Sequence, residues 1–146
     1  MKKVILVGCI IALAAVFIRY FGFREKSILS IKPSETASVE MYNASSPASD
    51  EVQMMRFDNE QDVADVFNQV SQMKPSGNAK PLDGNYTLVF HQTDGSQLTY
   101  VYSNGVVRTS NGFEGRVQSD NILNRLWAKL HYPVQPIMET ELPSLQ

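Results

Sequence analysis

The chain has 146 residues, 13 of them basic and 15 acidic, for a formal net charge of -2. That value hides a division, because residues 1–26 carry +4 and residues 27–146 carry -6. An acidic body argues against nucleic acid as a partner, and the single cysteine, Cys9, lies outside that body, which excludes a thiol nucleophile, a disulfide and a cysteine-based metal site there.

Behind Lys2 and Lys3 runs the apolar stretch Val4 to Phe23. Three readings compete for it. Ala12-Leu13-Ala14 has the small-x-small form of a leader cut site, yet Ala15-Val16-Phe17-Ile18 continues the apolar run where a polar mature start is expected. Leu6-Val7-Gly8-Cys9 has the outline of a lipobox, but only Val4 to Leu6 separate it from the lysines, too short a length to engage a bilayer first. As a helix the whole stretch is about 30 Å long, the thickness of the hydrocarbon core. Val4 to Ile18 then span the lipid, Tyr20, Phe21 and Phe23 form an aromatic belt, and Arg19 extends its head to the interface. An uncleaved anchor over residues 1–26 is the expectation. Lys2 and Lys3 favour a cytoplasmic N-terminus and a body outside the cell, although Arg19, Arg24 and Lys26 flank the other end.

Residues 27–132 read as one α+β domain. Ile28 to Ile31, Val39 to Tyr42 and Val52 to Phe57 have the composition of short strands, with a turn-rich break at Asn43 to Pro47. A helix follows, capped by Asp58 or Asn59, with Glu60 and Asp62 in its first turn and Val63, Val66, Phe67, Val70 and Met73 at helical spacing. Lys74 and Pro75 end it.

Tyr86 to Gln92 and Ser96 to Tyr102 form the clearest β region. A two-residue Asp94-Gly95 turn would oppose Phe90 with Thr99 and mix polar with apolar side chains on both faces. A three-residue Thr93-Asp94-Gly95 loop with Gly95 left-handed instead opposes Phe90 with Leu98, Leu88 with Tyr100 and Tyr86 with Tyr102. That register is preferred because it gathers the large side chains on one face. Asn104-Gly105 predicts a tight primed turn pairing Tyr102 with Val107, and Phe113 to Val117 a further strand. A second helix is expected from a cap at Ser119 or Asp120, with Ile122, Leu126 and Leu130 in a stripe. Residues 133–146 hold three prolines and read as an extended tail. The fold expected is an antiparallel sheet, a meander plus N-terminal strands, packed on one face by two helices.

Neither histidine has a second ligand at a metal-binding spacing: His91 faces away from the core across from Gln97, and His131 stands near a helix end. Asp58, Glu60 and Asp62 alternate like the opening of an EF-hand, but Val63 replaces the required glycine and Gln69 the bidentate glutamate. Serines lack any nucleophile motif and glycines form no phosphate cradle. No catalytic residue, metal or cofactor is implied. The sheet face carrying Thr87, Val89, His91, Thr99 and Val101 is the expected interaction surface.

Taken together, the stretches "MRFDNEQDVADVFNQV" and "YTLVFHQTDGSQLTYVYSNG" resemble the small YhfM-like and related cell-envelope domains of Gram-positive bacteria over residues 28–132. The resemblance implies an envelope location and a compact α+β fold, and it carries no activity with it. Family members often bear a true lipobox, whereas Cys9 here is poorly placed for one. The expectation is a single-pass, extracytoplasmic, non-enzymatic domain that binds an envelope protein or peptide. The alternative is a small hydrolase or ligand binder using Asp83, Asp94, Glu114 or His91 at the hairpin ends.

Overall fold

The computed structural model describes residues 28–44, 51–78, 80 and 82–145. The expected anchor, with Val4, Ile18, Arg19, Tyr20, Phe21 and Phe23, lies outside the described residues. Among the described residues no helix is long and apolar enough to cross a membrane.

Strands β1 (Thr36–Asn43) and β2 (Glu51–Phe57) precede helix α1 (Glu60–Ser71). A short strand, β3 (Lys74–Pro75), leads to the meander β4 (Tyr86–Gln92), β5 (Gln97–Ser103), β6 (Val106–Thr109) and β7 (Glu114–Gln118). Helix α2 (Ile122–Lys129) and strand β8 (Val134–Met138) complete the chain. All eight strands form one sheet in the order β3-β7-β6-β5-β4-β1-β2-β8, so the α+β antiparallel architecture holds.

The meander follows its local signals. Phe90 opposes Leu98, Leu88 opposes Tyr100 and Tyr86 opposes Tyr102. Gly95 takes φ +86°, which favours a residue without a Cβ, and Ser96 N–H donates to Asp94 Oδ1 at 2.8 Å to close the loop. At the next turn Asn104 and Gly105 both have positive φ and pair Tyr102 with Val107.

Alternation along these strands divides the sheet into two faces. The first carries Val39, Met41, Met55, Phe57, Tyr86, Leu88, Phe90, Leu98, Tyr100, Tyr102 and Val107, and both helices bury it. From α1 come Val63, Val66 and Val70; from α2 come Ile122, Leu123 and Leu126. The buried tyrosines keep hydroxyl partners: Tyr86 donates to Asn124 Oδ1 at 2.7 Å, Tyr100 to Met73 Sδ at 3.0 Å and Tyr102 to Ser119 Oγ at 3.4 Å.

Three local expectations change. Ile28, Leu29 and Ile31 are buried in the main core, but as an irregular segment ahead of a 3₁₀ turn at Pro33–Glu35, because Pro33 and Ser34 interrupt the run before it can pair. Helix α2 is capped neither by Ser119 nor by Asp120: Asn121, left-handed at φ +63°, stands at its N-cap and makes no side-chain cap bond. Asp83 does that work from another loop, its Oδ1 accepting the Asn124 N–H at 3.0 Å. The tail is indeed extended, but it is part of the sheet. Residues Val134–Met138 pair with β2 from Glu51↔Met138 to Met55↔Val134.

Candidate functional site

The second face differs from the first in having no helix over it. Around β2 it is apolar: Tyr42, Val52 and Val89 are buried, with Ala44, Met54, Ile137 and Leu142 against them. Ile137 and Leu142 come from the C-terminal segment, which crosses this face after leaving β8. Thr87, Val89 and Thr99, expected on an open surface, are therefore 8%, 2% and 8% exposed. His91 and Val101, on the same face, are half-buried.

Toward the β4–β5 turn the face becomes polar. Ser38, Glu40 and Tyr42 of β1 lie beside His91 and Val89 of β4, and Arg56 of β2 lies opposite Glu40. The Glu40 carboxylate accepts from Tyr42 Oη at 2.7 Å and from Arg56 at 3.5 Å. Arg56 also donates to Ser38 Oγ at 3.2 Å. Burial first, then the bond to Glu40, raises the Tyr42 phenol well above its ordinary pKa, so it stays a neutral donor.

His91 closes this network. Its Nδ1 lies 3.1 Å from Gln97 Nε2, and its Nε2 lies 3.2 Å from Glu40 Oε1. The second contact is close, but it lacks hydrogen-bond alignment and leaves the buried Nε2 without a bonded partner.

Beside Gln97 a groove of about 330 Å³ runs between the sheet and the tail, lined by Gln97, Thr99, Ser110, Pro143 and Ser144. Among the described residues no ionisable side chain lines it. Ser110 Oγ accepts the Thr99 N–H at 3.0 Å, which leaves its hydroxyl proton for a ligand in the groove. A larger hollow of about 550 Å³ opens at Asn59, Glu60 and Gln61, where Asn59 Oδ1 already accepts the amides of Gln61 and Asp62 as the cap of α1.

The groups considered for hydrolysis or small-ligand binding stand apart. Asp83 caps α2, Asp94 is engaged by Ser96 within its turn, Glu114 pairs with Arg108 at 3.4 Å, and His91 faces Glu40. No hydrogen bond or ion pair joins any two of the four. Asp62 of the acidic run takes a bond from Tyr132, and Asp65, one turn further on, takes one from Lys129, so both serve structure. His131 is exposed beyond the end of α2. Among the described residues no group of three His, Cys, Asp or Glu side chains could hold a metal ion.

Glu40 and Tyr42, the centre of the polar network, were not singled out from the sequence. Their signal was the strand-period spacing Ser38, Glu40, Tyr42, which places three polar groups on one face of β1. No family model, curated protein or solved structure matches this chain.

Proposed function

We propose that this chain is a membrane-anchored, extracytoplasmic, non-enzymatic domain that binds a protein or peptide partner of the cell envelope on its second sheet face. The observation that carries this reading is the groove of about 330 Å³ between β5 and the C-terminal tail, next to the Glu40–His91–Gln97 network. An uncharged lining of amide and hydroxyl groups bordered by one ionic cluster suits backbone and polar side chains of a peptide. No reactive pair stands in the groove to act on what it holds.

The described start of the domain bears on where an anchor would place the groove. Asn111 Nδ2 donates to Ser30 Oγ at 2.7 Å and Thr93 N–H to Glu35 O at 2.8 Å, so segment 28–35 lies against the same end of the sheet as Gln97 and Ser110. From Phe23 to Ile28 the backbone spans at most about 17 Å. If the anchor ends at Phe23, the groove end of the domain would lie within reach of the lipid and of a neighbouring membrane protein's juxtamembrane segment.

A photo-crosslinking residue at position 97 in intact cells tests this reading, with position 61 on the helix side as control. A discrete adduct at 97 that is absent at 61 is the expected result. Equal labelling at both positions, or a domain resistant to protease added outside intact cells, would overturn it.

A further inference from the structure

We infer that the C-terminal segment from Val134 onward is a displaceable internal strand, standing in for an extended partner peptide that pairs with β2 in the same register. This rests on the reading of the second face as a peptide site, but seats the peptide on the β2 edge rather than in the groove, whose Pro143 and Ser144 wall leaves with the tail.

Three observations carry it. First, β8 is weakly held. None of its five residues is buried, Val134 and Met138 are 45% and 64% exposed, and only Ile137 is half-buried. Elements with so little buried apolar area open locally far more readily than the core does. Second, the surface beneath the strand is prepared for an occupant. Val52 and Val89 are 2% exposed and Tyr42 7%, and Ile137 and Leu142 pack against that cluster from the tail. Removing the tail would uncover an apolar strip and the free backbone edge of β2, which is a template for strand addition. Third, the release point is defined. Tyr132 stacks on Phe57 with ring centroids 5.4 Å apart and donates to Asp62, so the main core is fastened up to Tyr132, immediately before the segment that would leave.

One side chain of the tail fits its site poorly, which leaves room for a better one. Gln135 sits opposite Met54 on the apolar side of the face. Met138 N–H donates to Glu141 Oε2 at 2.8 Å and so points away from β2. Because alternate residues of a strand point their N–H groups the same way, position 136, a proline without that donor, faces outward as well. As in any antiparallel strand, the alternate residues, here Gln135 and Ile137, direct their N–H groups at β2, so Pro136 costs the pairing nothing. The partner chemistry follows: an extended segment with apolar side chains at the positions of Gln135 and Ile137 and a further apolar residue at the position of Leu142.

The test uses the full chain in detergent micelles in a Cys9→Ser background, with a fluorescent synthetic peptide copying residues 133–145 but carrying leucine in place of Gln135. Saturable binding is expected. Glu51 and Met138 form an exposed opposed pair that does not exchange backbone bonds, a spacing compatible with a disulfide. Glu51→Cys/Met138→Cys, when oxidised, should weaken peptide binding at least tenfold, and reduction should restore it. In the unmodified chain, amide hydrogens of β8 should exchange at least a hundredfold faster than those of β1 and β4. Equal binding by the oxidised and reduced forms, no binding at millimolar peptide, or β8 exchange as slow as that of β4 would overturn the inference. A concentration-dependent dimer that excludes the peptide would assign the edge to a second copy and overturn it too. Adducts at position 97 that persist when the strand is locked would sink this inference while leaving the proposed function standing.

Discussion

The two faces of the sheet are made from the same strands yet are held in different ways. On the first, two helices close over aromatic and aliphatic side chains whose few polar atoms are all partnered. On the second, a short strand and its trailing tail cover one apolar patch and leave a polar network and a groove at its border. The same strands are therefore fully covered on one side and partly covered on the other. Stability resides where burial is complete, and the face where burial is partial is the one proposed for recognition.

That contrast can be broken most strongly from the helix side. Leu88→Ala, in a side chain with no exposure, should cost about 3–4 kcal/mol in denaturant unfolding, and a loss below about 1 kcal/mol would mean the core is less tightly packed than described. Ile137→Ala removes a half-buried contact from the tail and should cost about 1–2 kcal/mol, with the first-face aromatic signals unchanged. Asp83→Ala tests the cap borrowed by α2. A loss of about 1 kcal/mol is expected, offset in part because Asp83 Oδ2 is buried without a partner. Arg56→Ala sharpens the comparison from the other side, since its pair with Glu40 is more than half exposed at the arginine and should change the unfolding midpoint by less than about 1 kcal/mol.

The smallest effects are in pH dependence. The Lys129 ammonium, then Gln61, holds the Asp65 carboxyl below its ordinary range. Its contribution is present above the unfolded pKa and lost as pH falls through the lower folded value, so Asp65→Asn should flatten the acid limb of the stability profile. The bond to Asp62 raises the Tyr132 phenol to about 12. That contribution is complete below the ordinary phenol value and is lost as pH rises toward 12, a loss that Tyr132→Phe should remove from an alkaline titration of unfolding.

Local chemistry made the meander legible. Gly95 and Asn104-Gly105 select their turns, and the spacing of Phe90, Leu98, Tyr100 and Tyr102 admits one register that buries them together. The first helix was equally plain, since Asn59 caps it and Val63, Val66 and Val70 recur at its period. Thr87, Val89, His91, Thr99 and Val101 do lie on the face of β4 and β5 away from the helices, but the covering of that face was not foreseen. Val134 to Met138 is too short and too proline-interrupted to announce a strand, and its pairing with β2 is a contact between segments some 80 residues apart in the chain.

By itself, then, the order of residues determined the short-range features: turn types, the helix α1, the apolar alternation of β4 and β5, and the division of charge between the two ends of the chain. Only the folded molecule decided that β1 and β2 lie between the meander and the tail, that Asp83 caps a distant helix, and that Glu40 meets His91. The reason is physical. A turn or a helix stripe is satisfied by neighbours a few residues away, whereas an edge pairing or a cap in another loop is chosen by which unsatisfied backbone group the finished core brings near.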